Sequence, residues 1–139
     1  MNFWDSSAVI PLLIREGVTS HRQEQLRDDS GMTVWWACRL ECSSALNRLR
    51  RDGSLDDDGL DRALRALQTL AEGWYEVQPS SELRARAMRL LRVHPLRAAD
   101  AVQLAAALVS SSEDPSHLPF FTADERLLEA ARKEGFAVG

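Results

Sequence analysis

Four acidic residues of the 139-residue chain lie where a carboxylate is unexpected: Asp5, Glu41, Asp100 and Asp124. Asp5 closes the short apolar start Phe3-Trp4. Glu41 lies five residues past Trp36, among Leu40, Cys42, Ala45 and Leu46. Asp100 sits between Ala99 and Ala101 in the most hydrophobic stretch of the chain. Asp124 follows the apolar Leu118 to Phe121 segment, with Thr122 just before it. A carboxylate among apolar neighbours is costly to bury unless it is paired or bound to a cation. Each acid also has a plainer role. Asp5 and Asp124 suit helix caps, Asp100 suits the positive end of a helix, and Glu41 suits a solvated helix face. Singly, those roles suffice. Jointly, the four compete with one explanation: hard oxygen ligands for Mg²⁺ or Mn²⁺, in an octahedral shell that keeps waters and has room for a phosphate oxygen.

Such a pocket needs a frame. Ser7 onward reads as a helix with Ala8, Val9, Leu12 and Leu13 on one side, Pro11 near its first turn and Gly17 at its end. Thr19 to Asp29 reads as a polar surface helix. Met32 to Trp36 is β-branched and aromatic, hence a strand, and Ala37 to Arg51 a helix closed by Gly53. Leu60, Ala63, Leu64, Leu67, Leu70, Ala71 and Trp74 recur at helical spacing behind the acids Asp56 to Asp58. Tyr75 to Gln78 reads as a strand. Ser80 or Ser81 caps a helix with Leu83, Ala87, Leu90, Leu91 and His94 as its stripe. Arg97 to Val109 is a helix apolar on most sides, which implies burial. Leu118 to Phe121, Asp124 to Glu134 and Phe136 to Val138 read as strand, helix and strand. Alternating strands and helices predict one α/β domain over residues 1–139, with a parallel sheet covered on both faces. Ligands of such sheets bind at the carboxyl ends of the strands, where Asp5 and Asp124 fall.

Composition agrees with a folded domain: 45% hydrophobic and 27% charged residues argue against disorder. A chain this long folds without disulfides or a structural metal. No apolar run approaches the ~20 residues of a membrane span, and the amino terminus has no signal-peptide pattern. The expectation is a soluble cytoplasmic protein. Net charge is −4, from 17 basic and 21 acidic residues, which at face value disfavours nucleic acid. With four acids committed to a metal, the remainder balances at 17 against 17. Every basic residue but Lys133 is Arg, the better fork for phosphate.

A resemblance appears once these segments are placed in order. Asp5-Ser6-Ser7-Ala8 is similar to the opening of a PIN-domain nuclease. Glu41 within Cys38-Arg39-Leu40-Glu41-Cys42 resembles that family's helix glutamate. Leu96 to Ala105, with Asp100 at its centre, resembles its most distinctive segment, and Phe121-Thr122-Ala123-Asp124-Glu125-Arg126-Leu127 its final motif. Within the family, the size and the segment around Asp100 resemble a VapC-type toxin of a toxin–antitoxin pair. The resemblance implies a three-layer α/β/α fold with a central parallel sheet of four to five strands. It also implies a Mg²⁺- or Mn²⁺-dependent endoribonuclease, an antitoxin partner and a homodimer. Asp5, Glu41, Asp100 and Asp124 would form the metal pocket, with Thr122 and Ser6 supporting by hydrogen bonds. Many relatives carry Ser or Thr where the second strand meets the Glu41 helix; this chain has Trp36-Ala37. The rival readings are a non-catalytic module that retains the acidic pocket, and a metal-dependent DNA nuclease or phosphatase.

Other residues invite assignment. Arg97 lies one helical turn before Asp100, placed either to pair with a site carboxylate or to touch a scissile phosphate. Cys38 and Cys42 lack the further ligands that zinc needs, since His21, His94 and His117 show no paired spacing. Trp4, Trp35 and Trp74 suit packing; Trp36, nearest the pocket, is the one indole placed to stack a base.

Overall fold

The computed structural model describes all residues from Met1 to Gly139. Its elements run β1 (Asn2–Trp4), α1 (Ser6–Leu13), α2 (Thr19–Asp28), β2 (Met32–Trp35), α3 (Cys38–Arg51), α4 (Asp57–Gly73), β3 (Tyr75–Val77), α5 (Ser81–Val93), α6 (Ala98–Ser110), β4 (Phe120–Phe121) and α7 (Glu125–Lys133). The four strands form one parallel sheet in the order β3-β2-β1-β4. With helices on both faces, the architecture is the expected three-layer α/β/α.

Alternation along β1 and β4 builds the layers. Successive side chains of a strand point to opposite faces. Phe3 and Phe120 stack at 5.1 Å on one face, and Trp4 and Phe121 meet edge to face at 5.0 Å on the other. The Phe3 face is covered by α5, α6 and α7 through Leu83, Leu90, Leu104 and Leu127. The Trp4 face is covered by α1, α3 and α4 through Val9, Cys42 and Leu67. Helix α6, apolar on most sides, supplies Ala101 and the Leu104 to Leu108 run, all buried.

Capping follows the sequence at three helices. Asp56, Ser80 and Asp124 accept from the backbone N–H of Gly59, Leu83 and Leu127, at 2.7, 3.0 and 2.9 Å. Gly53 and Gly135 end α3 and α7 with φ of +87° and +103°, a left-handed conformation that favours glycine.

Four expectations need correction. Helix α1 starts at Ser6 and stops at Leu13, well before Gly17. Thr19 ends it by donating its hydroxyl to the Pro11 carbonyl at 2.8 Å, which removes that acceptor from a further turn. Pro11 therefore lies in the second turn, not the first. Helix α2 is not wholly a surface element, since Thr19 and Arg22 are buried. Strand β4 has two residues, not four, because a 3₁₀ turn occupies Pro115–His117 and Pro119 has no N–H to donate. The last strand reduces to a single parallel bridge from Val138 to Phe120.

Phe120 is fully buried and touches both Phe3 and Phe136. Phe120→Ala is expected to lower unfolding free energy by about 3–5 kcal/mol, read from urea denaturation. A loss below about 1 kcal/mol would contradict this packing.

Candidate functional site

The ends of β1 and β4 fix the first two acids. β1 pairs with β4 through Phe3–Phe120 and Trp4–Phe121, so the residues that follow leave the sheet at the same edge. The Asp5 N–H then donates to the Phe121 carbonyl at 2.9 Å. Asp5 is 6% exposed. Its Oδ2 accepts the Thr122 hydroxyl at 2.8 Å and the Ser7 hydroxyl at 2.5 Å. Both hydroxyls are themselves held: Ser7 Oγ accepts from the Ala123 N–H, and Thr122 Oγ1 from the Asp124 N–H. The backbone N–H groups of Ser6 and Ser7 at the start of α1 also pull the Asp5 pKa down.

Glu41 is built the same way from other elements. It lies in the first turn of α3, half-buried, and its Oε1 accepts from Ser6 Oγ at 2.9 Å and Gln103 Nε2 at 2.7 Å. Gln103 is 1% exposed and comes from α6, one turn beyond Asp100. Glu41 Oε2 is left without a protein hydrogen bond. Asp100 lies in the first turn of α6, where the Arg97 backbone N–H pulls its pKa down. Asp124 gives one oxygen to the α7 cap, as the simple reading held, and keeps the other. Asp100, Asp124 and the exposed Arg97 line a cleft of about 640 Å³. A larger cleft, about 810 Å³ on α5 and α6 around Met88 and Leu91, lies apart from these acids.

Electrostatics ties the acids together. Burial raises the Asp5 carboxyl above its ordinary value, against the opposing pull of Ser7 and Thr122. Burial also raises Glu41, and the charges of Asp5 and Asp100 add to the rise. Asp100 is raised by burial, then by Asp124 and Asp5, with Arg97 opposing. Like charges that destabilise one another are the condition a divalent cation relieves. No three of these acids stand close enough to share one ion directly. An ion of the Mg²⁺ type is commonly held by one or two carboxylates and keeps several waters, through which further acids would reach it. The all-oxygen donor set fits such an ion.

Comparison with known proteins follows this geometry. The sequence matches the PIN domain over residues 3–133. The chain belongs to the PIN domain family. PIN domains are generally a metal-dependent nuclease fold. Among solved structures, the crystal structure of PAE2754 from Pyrobaculum aerophilum is similar, with a TM-score of 0.69 and 21% identity. The match covers 99% of this chain and 87% of that one, and at this identity it shows the fold alone. No curated protein matches the sequence significantly.

In this PIN domain, Asp5, Glu41 and Asp100 come together at one sheet edge with Asp124, and both Thr122 and Ser6 bond to a site carboxylate. Arg97 caps no side chain and pairs with no acid; its backbone carbonyl accepts from Asp100 and Ala101. Three contributors lay outside the sequence expectations: Ser7, Gln103 and Arg22. Gln103 was signalled by being the one polar side chain in the buried run of α6. Ser7 was signalled only by the Asp5-Ser6-Ser7 motif. Arg22 had no signal: it is 5% exposed, donates to the Thr122 carbonyl at 3.0 Å, and feels the charge of Asp5. The cysteines are free and buried, consistent with packing.

Asp5→Asn keeps an oxygen for Ser7 and Thr122 and removes the charge. A carboxyl with a raised folded-state pKa favours folding while protonated and loses that contribution as pH rises through the folded value. In EDTA at pH 8, Asp5→Asn is therefore expected to melt about 3 °C above wild type, the shift that ~1 kcal/mol gives a domain of this size. The gap should close near pH 4. Saturating Mg²⁺ should narrow or reverse it, because the intact site gains more from the ion. Asp5→Ala, which strands two hydroxyl donors, should melt lower in EDTA. Equal stabilisation of all three proteins by Mg²⁺ would remove Asp5 from the site.

Proposed function

We propose that this PIN domain is a VapC-like toxin: a Mg²⁺- or Mn²⁺-dependent endoribonuclease of the cytoplasm, a homodimer restrained by an antitoxin. The supporting observation is the shared construction of Asp5 and Glu41. Each has one oxygen tied by two side-chain hydrogen bonds, at an edge where Asp100 adds a third charge.

Two of Asp5, Glu41 and Asp100 would hold the ion directly and the third through its waters, with Asp124 completing that outer set or serving a second ion. A bound Mg²⁺ or Mn²⁺ lowers the pKa of a coordinated water and neutralises charge on a phosphate. Thr122 and Ser7 keep Asp5 in one orientation, and Ser6 and Gln103 do the same for Glu41. Arg97, exposed at the rim and free of carboxylate partners, contacts the phosphate of the strand being cut.

Cleavage of structured RNAs in Mg²⁺ or Mn²⁺, and its loss in EDTA, tests the reading; a parallel single-stranded DNA arm tests the nucleic acid. Asp5→Asn and Asp100→Asn should each reduce cleavage at least about 100-fold and abolish growth inhibition. Wild-type cleavage by either variant would overturn that residue's role. RNA binding without cleavage in either metal would mark the chain as a binding module.

The same pocket attracts cations, so the antitoxin should reach it with a basic side chain or cover its entrance. Hydrogen exchange of residues 97–100 is expected to slow in the complex with the product of a small neighbouring reading frame. A complex structure that places the partner away from Asp5 and Asp100 would count against this.

A further inference from the structure

Three features at the start of α3 have no part in holding the carboxylates. Trp36 is 49% exposed and Leu40 is 68% exposed. Large apolar side chains this open, side by side, are unusual outside binding surfaces. Arg39 between them is exposed, and it is absent from the arginine ion pairs of the fold, which involve Arg50, Arg86 and Arg132. Together they line a shallow cleft of about 410 Å³. Its acid, Glu76, is engaged by the Trp74 indole N–H at 3.0 Å.

The position of this cleft gives it meaning. The Glu41 N–H donates to the Ala37 carbonyl at 2.9 Å, so Glu41 is one helical turn from the residue next to Trp36. A turn rises ~5.4 Å. The backbone is held here, since the Trp36 backbone N–H donates to the Val77 carbonyl at 3.0 Å, and the ring lies edge to face with Trp35 at 6.4 Å. Trp35 in turn packs against the core. An exposed aromatic face and a cation outside the ion pairs, one helical turn along the chain from a metal-site carboxylate, match the needs of a single strand, whose bases stack and whose phosphates need positive charge.

We propose that Trp36 and Arg39 form a nucleotide subsite of this nuclease. Trp36 stacks an unpaired base of the RNA near the scissile bond, and Arg39 contacts a phosphate beside it. The proposal rests on the ribonuclease reading and adds to it a preference for unstacked, single-stranded RNA.

A short single-stranded RNA with one mapped cleavage site provides the test. Abasic positions are introduced in turn at the nucleotides flanking that site. Trp36→Ala should raise KM about 10-fold, with the effect falling on KM rather than kcat, while Trp36→Phe should retain most of the affinity. One abasic position should weaken wild type by the same factor and weaken Trp36→Ala no further. Arg39→Gln should reduce the slope of log Kd against log salt by about 0.7, the share of one phosphate on a single strand. Binding is also measured by anisotropy in EDTA, so absence of cleavage would sink the nuclease reading while the stacking question is still decided. Melting temperatures check that the variants fold. Additive losses at every abasic position, or unchanged binding by Trp36→Ala, would overturn the subsite. So would a Trp36→Ala effect confined to oligomeric state or to antitoxin affinity, which would assign the face to a protein partner.

Discussion

A charged group buried at the end of an interior strand sets the terms for the rest of this structure. Asp5 has almost no exposure, yet its carboxylate sits within the field of Glu41 and Asp100. Burial and like charge act in the same direction on Glu41 and Asp100, while burial alone raises Asp5. Two hydroxyl donors on Oδ2 offset part of that penalty at Asp5. What remains is strain that a divalent cation relieves. A fold that retains such a cluster is not built for maximal stability alone.

The frame serves this cluster by bringing distant chain segments to one edge. The aromatic pairs Phe3–Phe120 and Trp4–Phe121 lock β1 to β4 on both faces, so Asp5 and Thr122 leave the sheet side by side. Helix α6 packs along the Phe3 face and carries Asp100 at its start and Gln103 a turn later. Beyond it, Glu134 accepts from Arg86 at 3.3 Å and meets His94 Nε2 at 2.6 Å, joining α5 to the end of α7. That junction anchors the His94-Pro95-Leu96-Arg97 connection from which α6 departs. Arg22 closes the back of the site from α2. It is a buried cation whose nearest carboxylate influence is Asp5, reached through the Thr122 carbonyl.

Much of this was legible in the sequence because the signals are local. Helical periodicity and caps at Asp56, Ser80 and Asp124 depend on residues three or four apart, and all three caps form. The alternation of strand and helix followed from β-branched and aromatic runs between amphipathic stretches. The four acids were visible because each is out of place in an apolar setting. Two departures from the local pattern also have short-range causes. The end of α1 depends on a hydroxyl from Thr19, eight residues on from the Pro11 carbonyl it satisfies, and β4 is shortened by a turn that Pro115 and Pro119 help to define.

The sequence by itself determined the elements, the layer class and which carboxylates lack a local reason to exist. It did so because period, cap and burial cost are properties of neighbouring residues. Only the tertiary structure decided which oxygens of Asp5 and Glu41 are committed. The donors come from 117 residues away for Thr122 to Asp5 and 62 for Gln103 to Glu41. It also decided that Arg22 of a polar helix turns inward, and that of two adjacent tryptophans Trp35 packs while Trp36 faces solvent. Hydrogen bonds reach about 3 Å and are indifferent to chain separation. Partners of this kind exist only once the sheet has brought its strand ends together.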